Sequence, residues 1–540
     1  MDEVELRVGG VAHGGCCVAR LDGRVVFVRH TLPGEVIVAE VLERRAQFWR
    51  AEAVRVLEPS PDRVPHVWPA AGPGGVGGAD LGHVTLPAQQ RWKAEAVRQA
   101  LRRIGHIERD VEVRAAPGDA ANGGLGWRTR LDLEVDDAGR PGMHAPRSGR
   151  VIAVDSMPLA VPALAEHAVF QRRWPGVRRI HLVAPSVGGV GVLVDGGGPA
   201  AARWLHEAVE VVLPAGRWGA DGWLEELPVG AAADGPMERP RGPIEGPRGG
   251  AGVAPPGTVV LPYRVRADGF WQVHKEAPQL LVEAVLAAAV AGVAFGLAGS
   301  GGGGPAFDSG AAGRAPGGVG CVGGPDSARC PDSAGGSDSA RCPDSVGGPD
   351  SARCPDSAGG PDSARCPDSA GGPGVPNSTG VPNNPVGLGH PLRAPGEWNR
   401  WPTVWDLYSG SGLFTVPLAL TGADVWAVEA DPAANRAARR NAHGLDGIHL
   451  VQAEVATAIK DLPAPDLVVL DPPRRGAGAR VSAAIVQARP RRVIYVACDP
   501  AALARDAAAL IRGGYRLGEV SGLDLFPHTH HVECVAIFER

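Results

Sequence analysis

The first part of the chain, residues 4 to 57, alternates between apolar and polar side chains in short runs. Clear examples are Arg24 to Val28 and Glu35 to Val41, and turn residues such as Gly14-Gly15 separate the runs. Alternation with period two is the pattern of strands with one buried face, and short strands at this spacing are typical of small barrels. The pattern predicts a small antiparallel, OB-like β-barrel over residues 1 to 58.

The next part, residues 59 to 256, mixes periodicities. Pro59 to Pro87 is rich in glycine and proline, and a helical pattern follows from Pro87 to Ile104. Strand patterns return at Arg128 to Val135 and at Ile180 to Val194. This mixture predicts a central α+β region.

The last part, residues 257 to 540, contains short, almost wholly apolar runs alternating with helical patterns. Such runs are typical of strands buried on both faces of a parallel sheet. The segment Tyr263 to Phe295 needs this sheet to bury its apolar face, so we assign it to the same domain. The predicted class is α/β, a doubly wound Rossmann-like sheet whose strands are Val404–Tyr408, Asp424–Glu429, Leu467–Asp471 and Arg492–Ala497.

An insertion over residues 296 to 397 interrupts this domain. It repeats a unit rich in Gly, Pro, Asp and Ser, in which Cys330, Cys342, Cys354 and Cys366 recur at equal spacing. Zinc sites favour paired cysteines, which this spacing lacks. With little apolar content to offset the entropy of ordering, the insertion is predicted to be disordered.

Composition excludes some classes of protein. A net charge of −5 over 540 residues gives no overall basic signature, so any nucleic-acid contact must come from a local patch. The nine cysteines do not form a disulfide pattern, which favours a reducing cytoplasm. The longest apolar stretch, Ala284 to Gly299, is shorter than the roughly 20 residues of a spanning helix. A cytoplasmic protein without membrane contact is expected.

A glycine-rich turn follows the first strand of the predicted sheet. Tyr408, Gly410 and Gly412 lie in this turn, where glycine lets the backbone approach a ligand closely. The third glycine of a dinucleotide fingerprint is absent, and a purely structural turn is the alternative. Glu429 ends the next strand, where its carboxylate can accept hydrogen bonds from both ribose hydroxyls. The pattern favours S-adenosylmethionine over NAD.

Two further strands end in reactive groups. Asp471 begins an Asp-Pro-Pro turn after the run Leu467 to Leu470, and Cys498 follows Ile494 to Ala497. Both are expected at the carboxyl edge of the sheet, facing the same crevice. A rigid loop for Asp471 and a small core side chain for Cys498 are the alternatives. Asp499 either disfavours the thiolate by its charge or caps the helix that begins at Pro500.

A histidine-rich turn precedes the last strand. His528, His530 and His531 suggest a metal, but hydrogen bonding is the more common use of histidines in such a turn, so no metal site is assigned. Glu533 stands next to the strand Cys534 to Phe538 and is the candidate general base.

Taken in order, these motifs resemble the TrmA-type RNA uracil-C5 methyltransferases. The resemblance rests on Gln272, the Tyr408 turn, Glu429, Asp471-Pro472-Pro473-Arg474, Cys498-Asp499-Pro500 and Phe526 to Glu533. The N-terminal barrel resembles the TRAM domain that many of these enzymes carry. The likeness covers nearly the whole chain apart from the insertion.

The resemblance implies a mechanism and a substrate. Cys498 would add to C6 of a uridine, and Glu533 would remove the C5 proton after methyl transfer. Gln272, Tyr408, Glu429 and Asp471, with the backbone at Gly410 and Gly412, would hold S-adenosylmethionine. The substrate would be a structured RNA, either tRNA or ribosomal RNA, and a monomer is favoured although the oligomeric state is open.

The chain departs from the family at two places. Many bacterial relatives bind a four-iron cluster through cysteines, but Val76, Ala79 and Met157 stand at three of those positions, so no cluster is expected. Asp499 stands where the family commonly has asparagine. These departures motivate an alternative, a catalytically inactive RNA-binding or RNA-folding relative. A cytosine-C5 methyltransferase is the other alternative, although such RNA enzymes typically carry a cysteine in the turn that here holds Pro473 and Arg474.

Overall fold

The structure is a computed structural model that describes residues 3–196, 223–230, 258–266, 269–295 and 402–540. The predicted disordered insertion, 296 to 397, lies outside the described residues. Within the described part of the chain, no helix combines the length and the apolar content needed to cross a membrane.

The N-terminal region is a closed five-stranded barrel with strand order β1-β2-β3-β5-β4. Alternate residues point inward, so that Val26, Val28 and Ile37 are fully buried. The prediction of an entirely antiparallel barrel is wrong for one pair, because β3 and β5 run parallel. The strands are β1 (Glu3–Ala12), β2 (Cys16–Leu21), β3 (Arg24–Arg29), β4 (Val36–Arg44) and β5 (Phe48–Glu58).

A long connection then leads away from the barrel. It contains a single-turn 3₁₀ helix, Pro69–Ala71, and then helix α1, Leu86–Ala100. A π-helical turn, Leu101–Gly105, extends α1, and strand β6, Glu112–Ala115, follows. Pro87 lies in the first turn of α1, where its missing N–H costs no hydrogen bond.

The central region forms an antiparallel sheet of order β11-β10-β7-β8-β9. Its core contains large side chains, among them Trp127, Leu133, Met157 and Trp174, none more than 1% exposed. Its elements are β7 (Arg130–Val135), β8 (Pro141–His144), β9 (Val151–Ala153), α2 (Pro162–Ala165), β10 (Val177–Val183) and β11 (Gly191–Gly196). An antiparallel pair follows, β12 (Trp223–Gly230) with β13 (Thr258–Val265).

The C-terminal region is built on an eight-stranded sheet of order β16-β15-β14-β17-β18-β20-β19-β6. The first five strands in this order are parallel; the apolar runs predict four of them, and β16 is the strand that the sequence did not predict. The elements are α3 (Ala277–Phe295), β14 (Thr403–Leu407), α4 (Thr415–Leu420), β15 (Asp424–Glu429), α5 (Pro432–Asn441), β16 (Ile448–Gln452), α6 (Val455–Ala458), β17 (Leu467–Leu470), α7 (Gly478–Ala488), β18 (Arg492–Ala497), α8 (Pro500–Arg512), β19 (Arg516–Asp524) and β20 (Glu533–Glu539).

The other end of this sheet differs from a purely parallel sheet. Strand β20 runs antiparallel to β18, and β19 runs antiparallel to β20. Strand β6, which the sequence assigns to the central region, pairs with β19. The sheet therefore extends across the boundary that the sequence suggests near residue 256, and the division into three domains stays a prediction.

The segment that precedes the insertion packs against the parallel sheet, as the sequence predicts. Tyr263, Leu281 and Val285 share one buried core with Val404 and Val496 of the parallel strands. The Tyr263 hydroxyl donates a hydrogen bond to the carbonyl of Leu413 at 3.1 Å. Helix α3 thus covers one face of the sheet.

Candidate active site

The sheet register brings four of the predicted site residues to one edge. Leu407 pairs with Leu470, and Leu470 pairs with Tyr495. Tyr408 and Asp471 follow the first two of these residues directly, and Cys498 follows the end of β18. Glu429 is the last residue of β15, beside β14. These residues all lie at the carboxyl ends of parallel strands, where ligands bind in folds of this class.

The glycine-rich turn folds back over the neighbouring strand. The backbone N–H groups of Tyr408 and Ser409 both donate to the carbonyl of Val428, at 2.9 and 3.1 Å. Gly412 has a φ of +91°, which a side chain would strain, and Tyr408 itself has a φ of +65°. The turn therefore requires glycine for its backbone conformation, and the close approach of a ligand stays a prediction.

Glu429 is fixed beneath this turn by two backbone hydrogen bonds. One carboxylate oxygen accepts from the N–H of Gly410 at 2.9 Å, and the other accepts from the N–H of Asp431 at 2.7 Å. An ionised carboxylate accepts about four hydrogen bonds in all. Glu429 therefore has the capacity left to accept both hydroxyls of a ribose.

One buried carboxylate near Asp471, that of Asp406, was not recognised in the sequence. Asp406 is buried in β14 and accepts a hydrogen bond from Thr415 Oγ1 at 2.5 Å, while its Oδ1 has no hydrogen-bond partner among the described residues. Burial raises the pKa of Asp406 to about 7. Burial, and then the charge of Asp406, raise the pKa of Asp471 to about 7. This pair would be stabilised by a cationic ligand. The sequence signal for Asp406 was the presence of a carboxylate inside a strand whose other residues are apolar.

Gln272 lies apart from these groups. It is buried just before α3 and lines a cavity whose other walls include Thr129, Val161, Ala184 and Lys275. The preceding residue, Trp271, packs against Tyr263, with 5.2 Å between the centroids of the two rings. The Tyr263 hydroxyl in turn donates a hydrogen bond to the carbonyl of Leu413 in the glycine-rich turn. The contact of Gln272 with the cofactor stays a prediction.

Cys498 and Glu533 face each other at the ends of two antiparallel strands. The last pair of the β18–β20 ladder is Ala497 with Cys534, so Cys498 and Glu533 are the next opposing positions. Cys498 is half-buried. Burial first, and then the negative charges of Glu533 and Asp471, raise the pKa of its thiol to about 12, while nearby Arg474 acts in the opposite direction.

Glu533 is buried at the start of β20. Its side chain is buried, and Oε1 makes no hydrogen bond to any described residue. Burial raises the pKa of Glu533 well above its usual value, and the charge of Asp471 adds to this while Arg474 opposes it. A carboxyl group in this state is suited to take up and hold a proton.

Asp499 does not act mainly on the thiol. Its carboxylate accepts a hydrogen bond from the N–H of Ala502 at 2.8 Å and so caps α8, with Pro500 in the first turn. The other carboxylate oxygen lies 3.8 Å from His13 Nε2. Of the two roles that the sequence left open, helix capping is confirmed.

The thiol opens into a cleft to which the barrel contributes. The cleft is lined by Cys498, by Arg474, and by His13 of the turn between β1 and β2. Trp92 of α1 and His531 also line it. The barrel thus reaches the reactive cysteine, which the sequence analysis did not predict.

The turn that leads to Glu533 is anchored by α1. Gln89 accepts from the N–H of His528 at 2.7 Å and contacts His528 Nδ1 at 3.0 Å. Lys93 is fully buried, pairs with Asp524 and donates to the carbonyl of Phe526 at 2.9 Å. The other histidines of the turn are also hydrogen-bonded, His530 to Asp80 at 2.7 Å and His531 to Arg474 at 3.4 Å. Hydrogen bonding is therefore the use the structure makes of all three histidines.

The positions expected for an iron–sulfur cluster hold packed apolar side chains. Val76, Ala79 and Met157 are each 1% exposed and belong to the core of the central region. A Cβ added to Gly78 would lie 3.5 Å from the methyl of Met143. The cysteines of the described residues are Cys16, Cys17, Cys498 and Cys534, none of which belongs to this region. These residues do not fit a cysteine-bound cluster.

The parallel sheet has a glycine-rich turn after β14 and an acidic residue, Glu429, at the end of β15. This combination defines a Rossmann-like methyltransferase domain. Comparison with known proteins narrows this class. Residues 399–540 match the family model of the tRNA (uracil-5-)-methyltransferases, and residues 2–54 match the TRAM domain.

Relatives match the whole chain. An RNA methyltransferase of Bifidobacterium longum is 33% identical over 100% of this chain and 97% of its own length. The 23S rRNA (uracil(1939)-C(5))-methyltransferase RlmD of Halomonas elongata is 29% identical over 99% of this chain and 89% of its own length. The crystal structure of Pyrococcus abyssi tRNA (uracil-54, C5)-methyltransferase shares the fold, with a TM-score of 0.56 and 18% identity, over 99% of this chain and 100% of that chain.

The chain therefore belongs to the TRAM-containing RNA (uracil-C5)-methyltransferases, which depend on S-adenosylmethionine. This confirms the family, the fold class, the kind of enzyme and the cofactor that the sequence predicts.

Proposed function

We propose that this enzyme methylates C5 of a uridine in a folded RNA through a covalent bond between Cys498 and C6 of the base. The observation that carries the proposal is the pairing of Cys498 with Glu533 beside Asp471, which supplies a nucleophile and a proton acceptor at one place. S-adenosylmethionine, bound along the Tyr408 turn, Glu429 and Asp471, supplies an electrophilic methyl group.

The first step activates the base. C5 of uracil is too weak a nucleophile to take a methyl group directly. The Cys498 thiolate forms a bond to C6, and the electrons of the C5–C6 double bond move to O4 as an enolate. C5 becomes nucleophilic and takes the methyl group of S-adenosylmethionine, whose sulfur–methyl bond breaks so that neutral S-adenosylhomocysteine is left. The N-terminus of α8, directly after Cys498, favours the thiolate form of the attacking sulfur.

The second step restores the aromatic ring. The ionised carboxylate of Glu533 removes the C5 proton, the C5–C6 double bond re-forms and the C6–sulfur bond breaks. Cys498 leaves as a thiolate, so the enzyme returns to its starting state once Glu533 loses its proton. Because burial raises the pKa of Glu533, its carboxylate is a stronger base than a solvated glutamate.

The cofactor contacts follow from the charges at the site. The raised pKa values of Asp406 and Asp471 mean that a nearby positive charge lowers the energy of both carboxylates. A sulfonium group meets this requirement, and Glu429 has free capacity for a ribose. We assign Gln272 to the same cofactor through its position before α3.

The RNA would be bound by the barrel together with the cleft around Cys498. Reaching a uridine in folded RNA requires that the base leave its stack. His13 of the barrel lines this cleft, which supports a role for the TRAM domain in presenting the base. Such RNA is found in the cytoplasm, where we place the enzyme.

The substrate is either tRNA or ribosomal RNA, and the relative from Halomonas elongata acts on 23S rRNA by its name. Since that relative matches the chain nearly end to end, ribosomal RNA is the first candidate. The test is methylation of total RNA with labelled cofactor, followed by mapping of 5-methyluridine in wild-type and deletion strains. Loss of one 23S rRNA site on deletion would support the proposal, and loss of a tRNA site alone would overturn the ribosomal assignment.

An inactive RNA-binding relative is the second candidate from the sequence. Two observations favoured this alternative, and one of them was the charge of Asp499. This observation carries less weight because the Asp499 carboxylate caps α8. Purified enzyme that methylates no RNA while still binding it would favour this alternative.

A further inference from the structure

Three histidines from two parts of the chain converge beside the barrel. His30 lies just after β3, whereas His66 and His83 lie in the connection between β5 and α1. One ring nitrogen of each histidine lies within 4.8 Å of the corresponding nitrogens of the other two. The ring centroids form a nearly equilateral triangle with sides of 5.7, 6.0 and 6.2 Å.

Two of the three rings have a carbonyl acceptor at Nε2. His66 Nε2 lies 3.1 Å from the carbonyl of Ala79, and His83 Nε2 lies 3.4 Å from the carbonyl of Thr31. Carbonyl oxygens accept only, so these two Nε2 atoms carry the proton and the lone pairs of the two rings are on Nδ1. His30 Nε2 lies 3.2 Å from a carboxylate oxygen of Glu52 without hydrogen-bond geometry, so neither ring nitrogen of His30 has a hydrogen-bond partner among the described residues.

The Nδ1 atoms of the three rings are poorly used by the protein. Nδ1 of His30 and Nδ1 of His83 are buried and have no hydrogen-bond partner among the described residues. His66 Nδ1 accepts only the backbone N–H of Trp68, at 3.1 Å. A buried polar atom without a partner is costly, and a native site with two of them calls for a ligand.

We propose that His30, His66 and His83 bind a divalent transition-metal ion of the zinc type. An imidazole that donates one N–H to a carboxylate or carbonyl and offers the other nitrogen is the usual arrangement of a metal-binding histidine. Glu52 takes the role of the outer carboxylate behind His30, and it also accepts the N–H of Gly74 at 2.7 Å. Binding would draw the three nitrogens together to about 3.4 Å from one another, as zinc–nitrogen bonds of about 2.0–2.1 Å require.

The protonation states of the rings agree with this assignment. Burial, and then the nearby His30 ring, lower the pKa of His66 to about 4. Burial and the charge of Arg63 lower the pKa of His83 well below its usual value. Both rings are neutral at pH 7, which is the form that binds a metal.

The site would join the barrel to the connection that follows it. This connection also carries Asp80, which pairs with Arg29 of β3 at 3.1 Å and with His530 at 2.7 Å. His530 lines the cleft of Cys498. An ion at the three histidines would thus fix the wall between the barrel and the cleft, close to the region where other family members carry their cluster.

The test is metal analysis of the full-length enzyme purified without a histidine tag. After exposure to excess zinc and removal of unbound ion, we expect about one equivalent of zinc per chain. His83→Ala should reduce bound zinc to background, whereas His443→Ala, at an exposed position, should retain it. Substoichiometric zinc in the wild type, or full occupancy in His83→Ala, would overturn the proposal and leave a packed cluster of neutral histidines.

A second variant guards against loss of folding. His66→Cys replaces one nitrogen ligand with a thiolate and should keep an ion at the site. When this variant is loaded with Co²⁺, a thiolate-to-cobalt charge-transfer band should appear in the near ultraviolet, and the wild type loaded in the same way should lack it. A folded His66→Cys enzyme without that band would contradict ligation by residue 66.

Discussion

Cys498 and Glu533 oppose each other one position beyond the last backbone pair of β18 and β20, Ala497 with Cys534. Neither strand alone would place a base beside a nucleophile. The antiparallel return of β20 brings the two residues together, and the proposed catalytic pair depends on this departure from a parallel sheet. The charge of Glu533 in turn raises the pKa of the Cys498 thiol.

Replacing the base should separate the two steps of the reaction. Glu533→Gln keeps the shape of the side chain but cannot remove the C5 proton, so turnover should fall by about 10²–10⁴-fold. A covalent enzyme–RNA adduct should accumulate and be visible on denaturing gels. Glu519→Gln, the same change at an exposed position of β19, should behave as the wild type. Turnover of Glu533→Gln at the wild-type rate would show that another group takes the proton.

In the Glu533→Gln variant, the thiol of Cys498 should react faster with a small alkylating reagent. With a pKa of about 12, Cys498 should be alkylated by iodoacetamide at a rate that still rises above pH 9, where an ordinary thiol with a pKa of about 8.5 levels off. Glu533→Gln removes a negative charge that opposes the thiolate, so it should speed alkylation at pH 9. The measurement is mass spectrometry of the Cys498 peptide. Slower alkylation in the variant would contradict the assigned electrostatics.

The role of Asp499 as a helix cap predicts two different outcomes at one position. Asp499→Ala should lower the free energy of unfolding by about 1 kcal/mol, because the N–H of Ala502 loses its acceptor. Asp499→Asn keeps an acceptor and should change both stability and the alkylation rate of Cys498 only slightly. Denaturant unfolding and the alkylation assay measure these effects. A large increase in alkylation for the asparagine variant would mean that the Asp499 charge controls the thiol.

The cofactor assignment rests on Glu429. Glu429→Gln should weaken binding of S-adenosylhomocysteine by about ten- to a hundredfold, since hydrogen bonds to a charged group contribute about 1.5–3 kcal/mol. Isothermal titration calorimetry measures this directly. Asp446→Asn, before the opposite end of the neighbouring strand β16, provides the control and should bind normally. Equal affinity of the two variants would remove Glu429 from the cofactor site.

Sequence patterns predicted the parts of this molecule that depend on local periodicity. The barrel and four of the five parallel strands follow from alternation and from apolar runs, and the strand ends then bring Tyr408, Asp471 and Cys498 to one edge. The resemblance to a known family supplied the roles of Cys498 and Glu533. The far edge of the sheet was not predicted. The antiparallel return of β20 has no local periodic signal, and β6, which runs parallel to its partner β19, is separated from it by some four hundred residues of sequence.

Contacts between polar residues that are far apart in the chain could not be predicted from the sequence either. Lys93 looks like any helix residue, yet it is fully buried against Asp524 and holds the turn before Glu533. The convergence of His30 with His66 and His83 depends on how the connection after β5 folds back onto the barrel. Neither has a periodic signal. Asp406, a carboxylate within an apolar strand, did have one and was overlooked.

The central claim is the covalent bond between Cys498 and the uridine ring, and RNA containing 5-fluorouridine tests it most directly. Fluorine at C5 cannot leave as a proton, so the adduct formed after methyl transfer cannot resolve. With S-adenosylmethionine present, the wild type should form a stable enzyme–RNA complex whose cross-linked peptide contains Cys498, and Cys498→Ala should form none. Methylation of normal RNA by the wild type without any trapped complex, or trapping through another residue, would contradict the mechanism.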